Sequence, residues 1–422
     1  MSIQDLIKKY WRDSLLRNSL YLMANAGAMA VFGFCFWIIC ARLFTPEQIG
    51  ISTSLISAMS LIAAVSILGL DSTLVRLLPG SRARDREFNT AAALSAGMAF
   101  ALASVVVIIA PSVSNSLDII NKNIIFGAVF IAGTVFTAVN SINNSVFIAN
   151  RRTQYILIFD GLLNGAAKLI LPFAIIGLAG FGPYSAYSAS LAFATAAGLV
   201  AIKYRFGHKI DFRIDISTLK NIFTTASANY AASIFIAAPA YILPLIVINR
   251  LGAAAAGYYY VAFMLANMLY SAVYAIAQSF FAEGSNNIGD TQKLVRRALL
   301  MIILIVIPAG IGLTLLGPAI LAFFGKNYAA EGWQLVYYFA LAGPIVGISY
   351  LGIMLLRVQR QMKILVASTF TYALSICGLA LLWAEIGLAG IALAWTAGNL
   401  ISAVISFSGV ILRPRVSFPK QT

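Results

Sequence analysis

Apolar residues run through this chain in blocks of about 20 or more, broken by short stretches of Arg, Lys, Gly and Pro. A transmembrane β-barrel would instead alternate apolar and polar positions over segments of about 10 residues. Unbroken runs of about 20 suit helices crossing a hydrocarbon core of roughly 30 Å. Run length and the charged, Gly and Pro punctuation place spans at about 18–40, 51–70, 90–112, 123–148, 155–178 and 183–202. Six more fall at about 227–248, 258–281, 298–324, 334–356, 364–384 and 386–412. The pattern predicts an all-α polytopic membrane protein with 12 transmembrane helices. Every gap is short, the longest being the connector of about 24 residues after the sixth span and the gap near 71–89. No extramembrane domain is expected, so selection or chemistry belongs within the membrane or at its surfaces.

The cations give the helices an orientation. Of 29 Lys and Arg residues, only Arg42, Lys122, Arg250 and Lys326 fall in one alternate set of gaps, and Lys168 lies inside a span. The remainder sit at the termini (Lys8, Lys9, Arg12, Arg17; Arg413, Arg415, Lys420) or in the other gaps. Those gaps hold Arg76, Arg82, Arg84 and Arg86; Arg151 and Arg152; Lys203, Arg205, Lys209, Arg213 and Lys220; Lys293, Arg296 and Arg297; and Arg357, Arg360 and Lys363. Cytoplasmic loops retain Lys and Arg whereas translocated loops carry few, so both termini are expected to be cytoplasmic.

Composition agrees: 61% of residues are hydrophobic and 10% charged, against roughly 25% charged in soluble domains. The net charge of +15 is dispersed through short loops beside spans, which excludes nucleic acid as a partner. Anionic lipid headgroups account for part of it and an anionic substrate for the rest. Cys35, Cys40 and Cys377 lie in apolar stretches without metal spacing and read as packing residues. The single His208 in a basic connector argues against a His-based metal site or catalytic dyad, and no cofactor is expected. The polar N-terminus and long first run do not read as a cleavable signal peptide.

The two halves resemble each other. Ile3, Leu6, Ile7 and Tyr10 recur at helical spacing opposite Asp5, Lys8, Lys9 and Arg12, predicting a helix lying at the cytoplasmic interface. Ile216, Leu219, Ile222 and Phe223 repeat the pattern before the seventh span. The first span ends in Ala41-Arg42-Leu43 with Gly50 following, and the seventh in Asn249-Arg250-Leu251 with Gly257 following. Six spans per half start each half on the same side, giving a parallel repeat about an axis along the membrane normal. The reading is an N-lobe at 1–210 and a C-lobe at 211–422, two six-helix lobes with a central cleft between them.

Lys168 is the sharpest candidate for chemistry. It sits about 13 residues into the fifth span, roughly 20 Å from its start at 1.5 Å per residue, and a charge so deep costs at least about 2.5 kcal/mol on insertion scales. Asp160, Asn164 and Lys168 follow an i, i+4, i+8 line on one face. Two readings stand: a polar stripe lining a translocation path, with Lys168 attracting an anionic group, or a buried structural arrangement. The fourth span carries Asn140, Asn143 and Asn144 with Ser141 and Ser145. The eighth carries Asn267, Tyr270, Ser271, Tyr274 and Gln278. These groups suit sugar hydroxyls, and they equally suit interhelical hydrogen bonds. Arg42 and Arg250, on the cation-poor side, read as interfacial anchors or as one guanidinium fork per lobe for phosphate oxygens. Asp71 and Arg76 read as a local ion pair or as a mouth for an incoming headgroup. Pro239, Pro244, Pro308, Pro318 and Pro344 interrupt spans and permit bends.

Three stretches carry a family likeness: Leu16-Arg17-Asn18-Ser19; Ala41-Arg42-Leu43-Phe44-Thr45-Pro46-Glu47-Gln48-Ile49-Gly50; and Gly69-Leu70-Asp71-Ser72-Thr73-Leu74-Val75-Arg76-Leu77-Leu78-Pro79. The chain resembles the polysaccharide-biosynthesis flippases of the Wzx type, in a superfamily with multidrug and toxin extruders and peptidoglycan-precursor flippases. The resemblance implies two six-helix lobes in the cytoplasmic membrane. It also implies transfer of an undecaprenyl-diphosphate-linked oligosaccharide to the periplasmic leaflet by alternating access of a cationic cavity. The implied partners are polysaccharide polymerases or glycosyltransferases. Peptidoglycan-precursor flippases commonly have two further helices, which argues against that branch. A cation-coupled drug extruder of the same fold would need intramembrane carboxylates, for which Asp71, Asp160 and Glu385 are available. A glycan polymerase or ligase would need catalytic groups on a substantial external loop, and none is foreseen.

Overall fold

A computed structural model of the protein describes residues 14–114, 116–211, 215–286 and 291–412. Among them, twelve helices are long and apolar enough to cross a membrane. They are α1 (Leu16–Leu43), α2 (Pro46–Ile67), α3 (Arg84–Ser112), α4 (Ile124–Ala149), α5 (Gln154–Ala174) and α6 (Ile176–Arg205). Then follow α7 (Asn229–Leu251), α8 (Ala253–Phe281), α9 (Gln292–Phe324), α10 (Lys326–Val358), α11 (Met362–Ile386) and α12 (Leu388–Gly409). The protein is thus an all-α polytopic membrane protein.

Most helices outrun the apolar blocks that announced them, because polar first and last turns still satisfy their backbone groups within the helix. α3 begins at Arg84 rather than near 90, taking Asp85 and Glu87 into its first turn where they complement the helix dipole. The expected loop near 71–89 is mostly helical too, with a helix at Leu70–Leu77 and a 3-10 turn at Leu78–Gly80. Its entry is set by two consecutive left-handed residues, Leu68 (φ 54°) and Gly69 (φ 74°). These end α2 and aim Leu70 and Leu74 into the core.

Local chemistry fixes the other ends. Thr45 caps α2 reciprocally: Gln48 N donates to Thr45 Oγ1 at 3.4 Å and Thr45 N donates to Gln48 Oε1 at 3.1 Å. Pro46 occupies the first helical position, where no backbone donor is needed. Asn123 Oδ1 accepts from Ile125 N at 2.8 Å to start α4. The helices run on through Pro239, Pro244, Pro318 and Pro344. Pro308 follows a π-helical segment at Ile302–Val306, whose wider turn relieves the lost donor.

The expected interfacial segment around Ile3–Tyr10 lies outside the described residues, as do Arg213, Arg413, Arg415 and Lys420. Ile216 to Phe223 do not form a separate element. They open a continuous helix, Ile216–Leu251, because no Gly or Pro breaks the backbone ahead of α7.

The chain divides into two compact units, Met1–Ser227 and Ala228–Thr422. In the first, α4 gathers α2, α3 and α6 around itself, while α1 packs on α5 and α5 on α6. In the second, α10 gathers α8, α9 and α12, and α11 packs on α12. The fourth helix of each six therefore serves as hub for the second, third and sixth, so the same six-helix plan is used twice. The first core is built from Leu70, Leu74, Phe88, Ile142, Phe147 and Ile202. Ile108, Leu304, Leu315 and Leu382 remain exposed, as side chains bathed in lipid do.

Candidate functional site

Five of the candidates, Asp160, Asn164, Lys168, Asn140 and Asn144, meet in the first unit around α5. Its residues Leu157–Leu163 wind as a π-helix, yet Ile156, Asp160, Asn164, Lys168 and Pro172 stay on a buried stripe while Ile158, Leu162 and Ile170 are exposed. The predicted polar line is thus on the inward face: Asp160 is 6% exposed, Asn164 2% and Lys168 7%.

Asn140 and Asn144, one turn apart on α4, meet that line. Asn140 Nδ2 donates to Asp160 Oδ1 at 3.0 Å and Asn144 Nδ2 to Asp160 Oδ2 at 2.6 Å, so each carboxylate oxygen has an amide. Two turns further along α5, Lys168 Nζ lies 3.9 Å from the centroid of the Tyr187 ring on α6. Among the described residues no carboxylate lies within ion-pair reach of it. The ring face offsets part of the desolvation of the ammonium, about 2 kcal/mol in a dry setting, and leaves its N–H donors available. Asn164 lies between the two groups, and its Oδ1 is buried without a hydrogen-bond partner among the described residues.

α1 shapes this arrangement from behind. Gly161 and Gly165, four apart on α5, let it approach closely: a Cβ on Gly161 would press on Asn25 and Ala28, and one on Gly165 would enter the Phe32 ring. Asn18 ties the start of α5, accepting from Thr153 N at 3.1 Å through Oδ1 and from Thr153 Oγ1 at 2.9 Å through its carbonyl. Phe36 then flanks Tyr187, with ring centroids 6.4 Å apart. A clasped carboxylate, an orphaned amide oxygen and an ammonium on an aromatic face form a charged, polar seam. It contains no nucleophile–base pair among the described residues.

The other candidates are placed elsewhere. Asn143 turns away from Asp160 and donates to Thr195 O at 3.1 Å, tying α4 to α6. Arg42 and Arg250 are exposed at the ends of α1 and α7. Asp71 and Arg76 form no ion pair with each other: Asp71 Oδ1 accepts from Ser72 N at 2.7 Å in the first turn of Leu70–Leu77, and Arg76 is exposed in its last. In the second unit Asn267 Nδ2 donates to Phe263 O on its own helix. Tyr274 packs on Tyr350 with centroids 4.3 Å apart.

Tyr270 is fully buried, donates to Phe339 O at 2.7 Å and stacks on Trp395. Its hydroxyl is committed to the bundle. Tyr270→Phe is expected to cost about 1–2 kcal/mol of stability and to leave transport unchanged, measured by thermal unfolding alongside a transport assay. A comparable stability with strongly impaired transport would contradict this assignment.

Residues 39–331 match the family described as polysaccharide biosynthesis protein. The chain belongs to that family. Solved structures similar to this family member share its fold. Lipid II flippase MurJ in an inward closed conformation aligns with TM-score 0.74 at 15% identity, covering 93% of this chain and 87% of that one. A multidrug resistance MATE family transporter of the MOP superfamily, inward-facing, aligns with TM-score 0.72 at 14% identity over 91% and 94%. A MOP superfamily transporter from Pyrococcus furiosus aligns with TM-score 0.62 at 14% identity over 94% and 95%. No curated protein matches the sequence. The fold is that of MOP superfamily transporters and flippases.

Tyr187, Phe36 and the α1 glycine contacts were not foreseen. Tyr187 lies 19 residues from Lys168 on another helix, a separation that no local motif encodes.

Proposed function

We propose that this protein is a flippase that carries an undecaprenyl-diphosphate-linked oligosaccharide from the cytoplasmic to the periplasmic leaflet by alternating access, for surface polysaccharide biosynthesis. The observation that carries the reading is the family match over most of the chain, on a fold similar to that of a lipid II flippase. The protein sits in the cytoplasmic membrane with both termini cytoplasmic, as its cation distribution supports. Lys168 attracts the diphosphate, while Asn140, Asn144 and Asn164 supply polar groups around the head. Arg42 and Arg250 offer phosphate forks at the periplasmic ends of α1 and α7. Arg76 and Asp71 stand at the cytoplasmic end of the first unit. Polysaccharide polymerases and glycosyltransferases act beside it, and the transporter itself forms no bond.

A cation-coupled multidrug extruder is the second reading, favoured by the buried Asp160 carboxylate and by the likeness to a multidrug resistance transporter. One pair of assays separates them. Proteoliposomes loaded with lipid-linked oligosaccharide are probed by lectin or glycosidase accessibility, and matched vesicles are probed for organic-cation efflux. The flippase reading expects protein-dependent sugar exposure and no cation efflux. Efflux abolished by Asp160→Asn, without sugar exposure, would replace it with the second.

A further inference from the structure

Two segments 120 to 125 residues apart in sequence meet at one end of the first unit: the first two turns of α3 and the connector that leaves α6. His208 Nδ1 of the connector lies 2.8 Å from Asp85 Oδ1, within ion-pair distance though not along a hydrogen-bond direction. Asn89 Nδ2 donates to Lys209 O at 2.7 Å, and Asp215 N donates to Thr90 Oγ1 at 3.0 Å. Beneath them, Phe206 packs against Phe147 and Tyr155, and His208 lies against Phe88. The junction is therefore held by buried contacts and is not a chance approach of two loops.

These contacts sort the charges. Asp85 faces His208, Glu87 Oε1 accepts from Ser81 Oγ at 2.9 Å, and Asp215 lies 3.9 Å from Arg86. The cations Arg82, Arg84, Arg86, Lys203, Arg205 and Lys209 are exposed, with Asp211 an exposed carboxylate among them. Tyr204, 73% exposed, stands between Lys203 and Arg205, and Lys203 Nζ lies 5.4 Å from its ring. An amphipathic ring flanked by two cations at the end of a membrane helix suits the headgroup layer, where aromatic residues anchor and basic residues attract anionic lipid.

We propose that the junction of the α3 start with the connector after α6 is a binding surface for the phosphate of an anionic phospholipid, which holds this face of the first unit against its leaflet. The placement in the cytoplasmic leaflet rests on the orientation proposed above; the lipid preference does not depend on what the protein transports. Near a membrane surface each Lys or Arg is worth roughly a fivefold gain in association with anionic lipid.

The test uses the purified full-length chain, offered equal amounts of phosphatidylglycerol and phosphatidylcholine in mild detergent, with bound lipid counted by native mass spectrometry. The wild type is expected to enrich phosphatidylglycerol. The triple variant Arg84→Gln, Lys203→Gln, Arg205→Gln is expected to lose at least about tenfold of that preference. The charge-matched triple Arg296→Gln, Arg297→Gln, Lys363→Gln, drawn from exposed cations of the second unit, is expected to stay within about twofold. Equal losses in both triples would make the preference a matter of total charge and overturn the proposal. Undiminished preference in the first triple would overturn it too and assign these cations to another partner, such as an acidic protein. Inorganic phosphate at matched ionic strength is expected to displace no more lipid than chloride does; selective displacement would identify a free-phosphate site instead. Thermal unfolding reports folding of each variant, and the milder pair Lys203→Gln, Arg205→Gln carries the same prediction if the triple does not fold. No step requires transport, so failure here is distinct from failure of the flippase reading.

Discussion

Lys168→Ala is expected to reduce translocation of lipid-linked oligosaccharide by roughly 10- to 100-fold while the protein still folds. That range follows from losing one charge-assisted contact to a phosphate, about 1.5–3 kcal/mol, at 1.36 kcal/mol per tenfold in rate. An ammonium 7% exposed and lying against an aromatic ring has shed most of its hydration, and the ring returns about 2 kcal/mol of a larger penalty. A group retained for stability alone would be better served by an apolar side chain of like size, which carries none of the desolvation cost of an ammonium without an ion-pair partner. Lys168→Met separates the two roles. The expected result is a thermal midpoint equal to or above that of the wild type together with transport as poor as in Lys168→Ala. Lys168→Arg, which keeps the charge on a broader head, is expected to retain part of the rate. A variant that folds normally and exposes sugar at the wild-type rate would remove Lys168 from the mechanism.

The asymmetry between what could and could not be read beforehand has a physical origin. Spans are encoded locally, because a helix in lipid must satisfy its backbone within itself and be apolar for about 20 consecutive residues. Run length therefore located all twelve helices. Ends were misjudged where polar turns remain helical, as at Arg84 and along Leu70–Leu77. The buried face of α5 was legible from the four-residue spacing of Asp160, Asn164 and Lys168, and the π-helical stretch did not displace it. Partner choice was not legible. Asn140, Asn143 and Asn144 occupy neighbouring positions on α4, yet two clasp Asp160 and one holds Thr195 O. Which asparagine does which depends on a few tens of degrees around the helix and on how α5 and α6 pack, quantities that one sequence does not print. The spacing of Tyr270 suggested a lined path, yet its hydroxyl is spent on Phe339 O.

The packing of α1 on α5 leads to the largest expected effect on stability. Gly165→Ala in an exposed helix would stabilise by up to about 1 kcal/mol through helix propensity. Here the added methyl would enter the Phe32 ring. Overpacking of that kind costs about 1–3 kcal/mol, and Gly165→Val, with a branched Cβ on the same spot, is expected to cost more and to accumulate poorly. Gly33→Ala on α1 is the matched control, since nothing lies within 4 Å of its added methyl; it is expected to be neutral or stabilising. Shortening the opposing side chain should relieve the clash. Gly165→Ala with Phe32→Leu is expected to recover part of the loss, giving a favourable coupling energy of about 0.5–3 kcal/mol in a double-mutant cycle. The same displacement has a functional consequence. α1 carries Phe36 against Tyr187, and Tyr187 supports Lys168, so moving α1 outward loosens the ring beneath the ammonium. Transport by Gly165→Ala is therefore expected to fall further than its population of folded protein, and the Phe32→Leu partner is expected to restore both together. A higher unfolding midpoint for Gly165→Ala alone would show that α1 does not press on this glycine, and the route from α1 to Lys168 would fall with it.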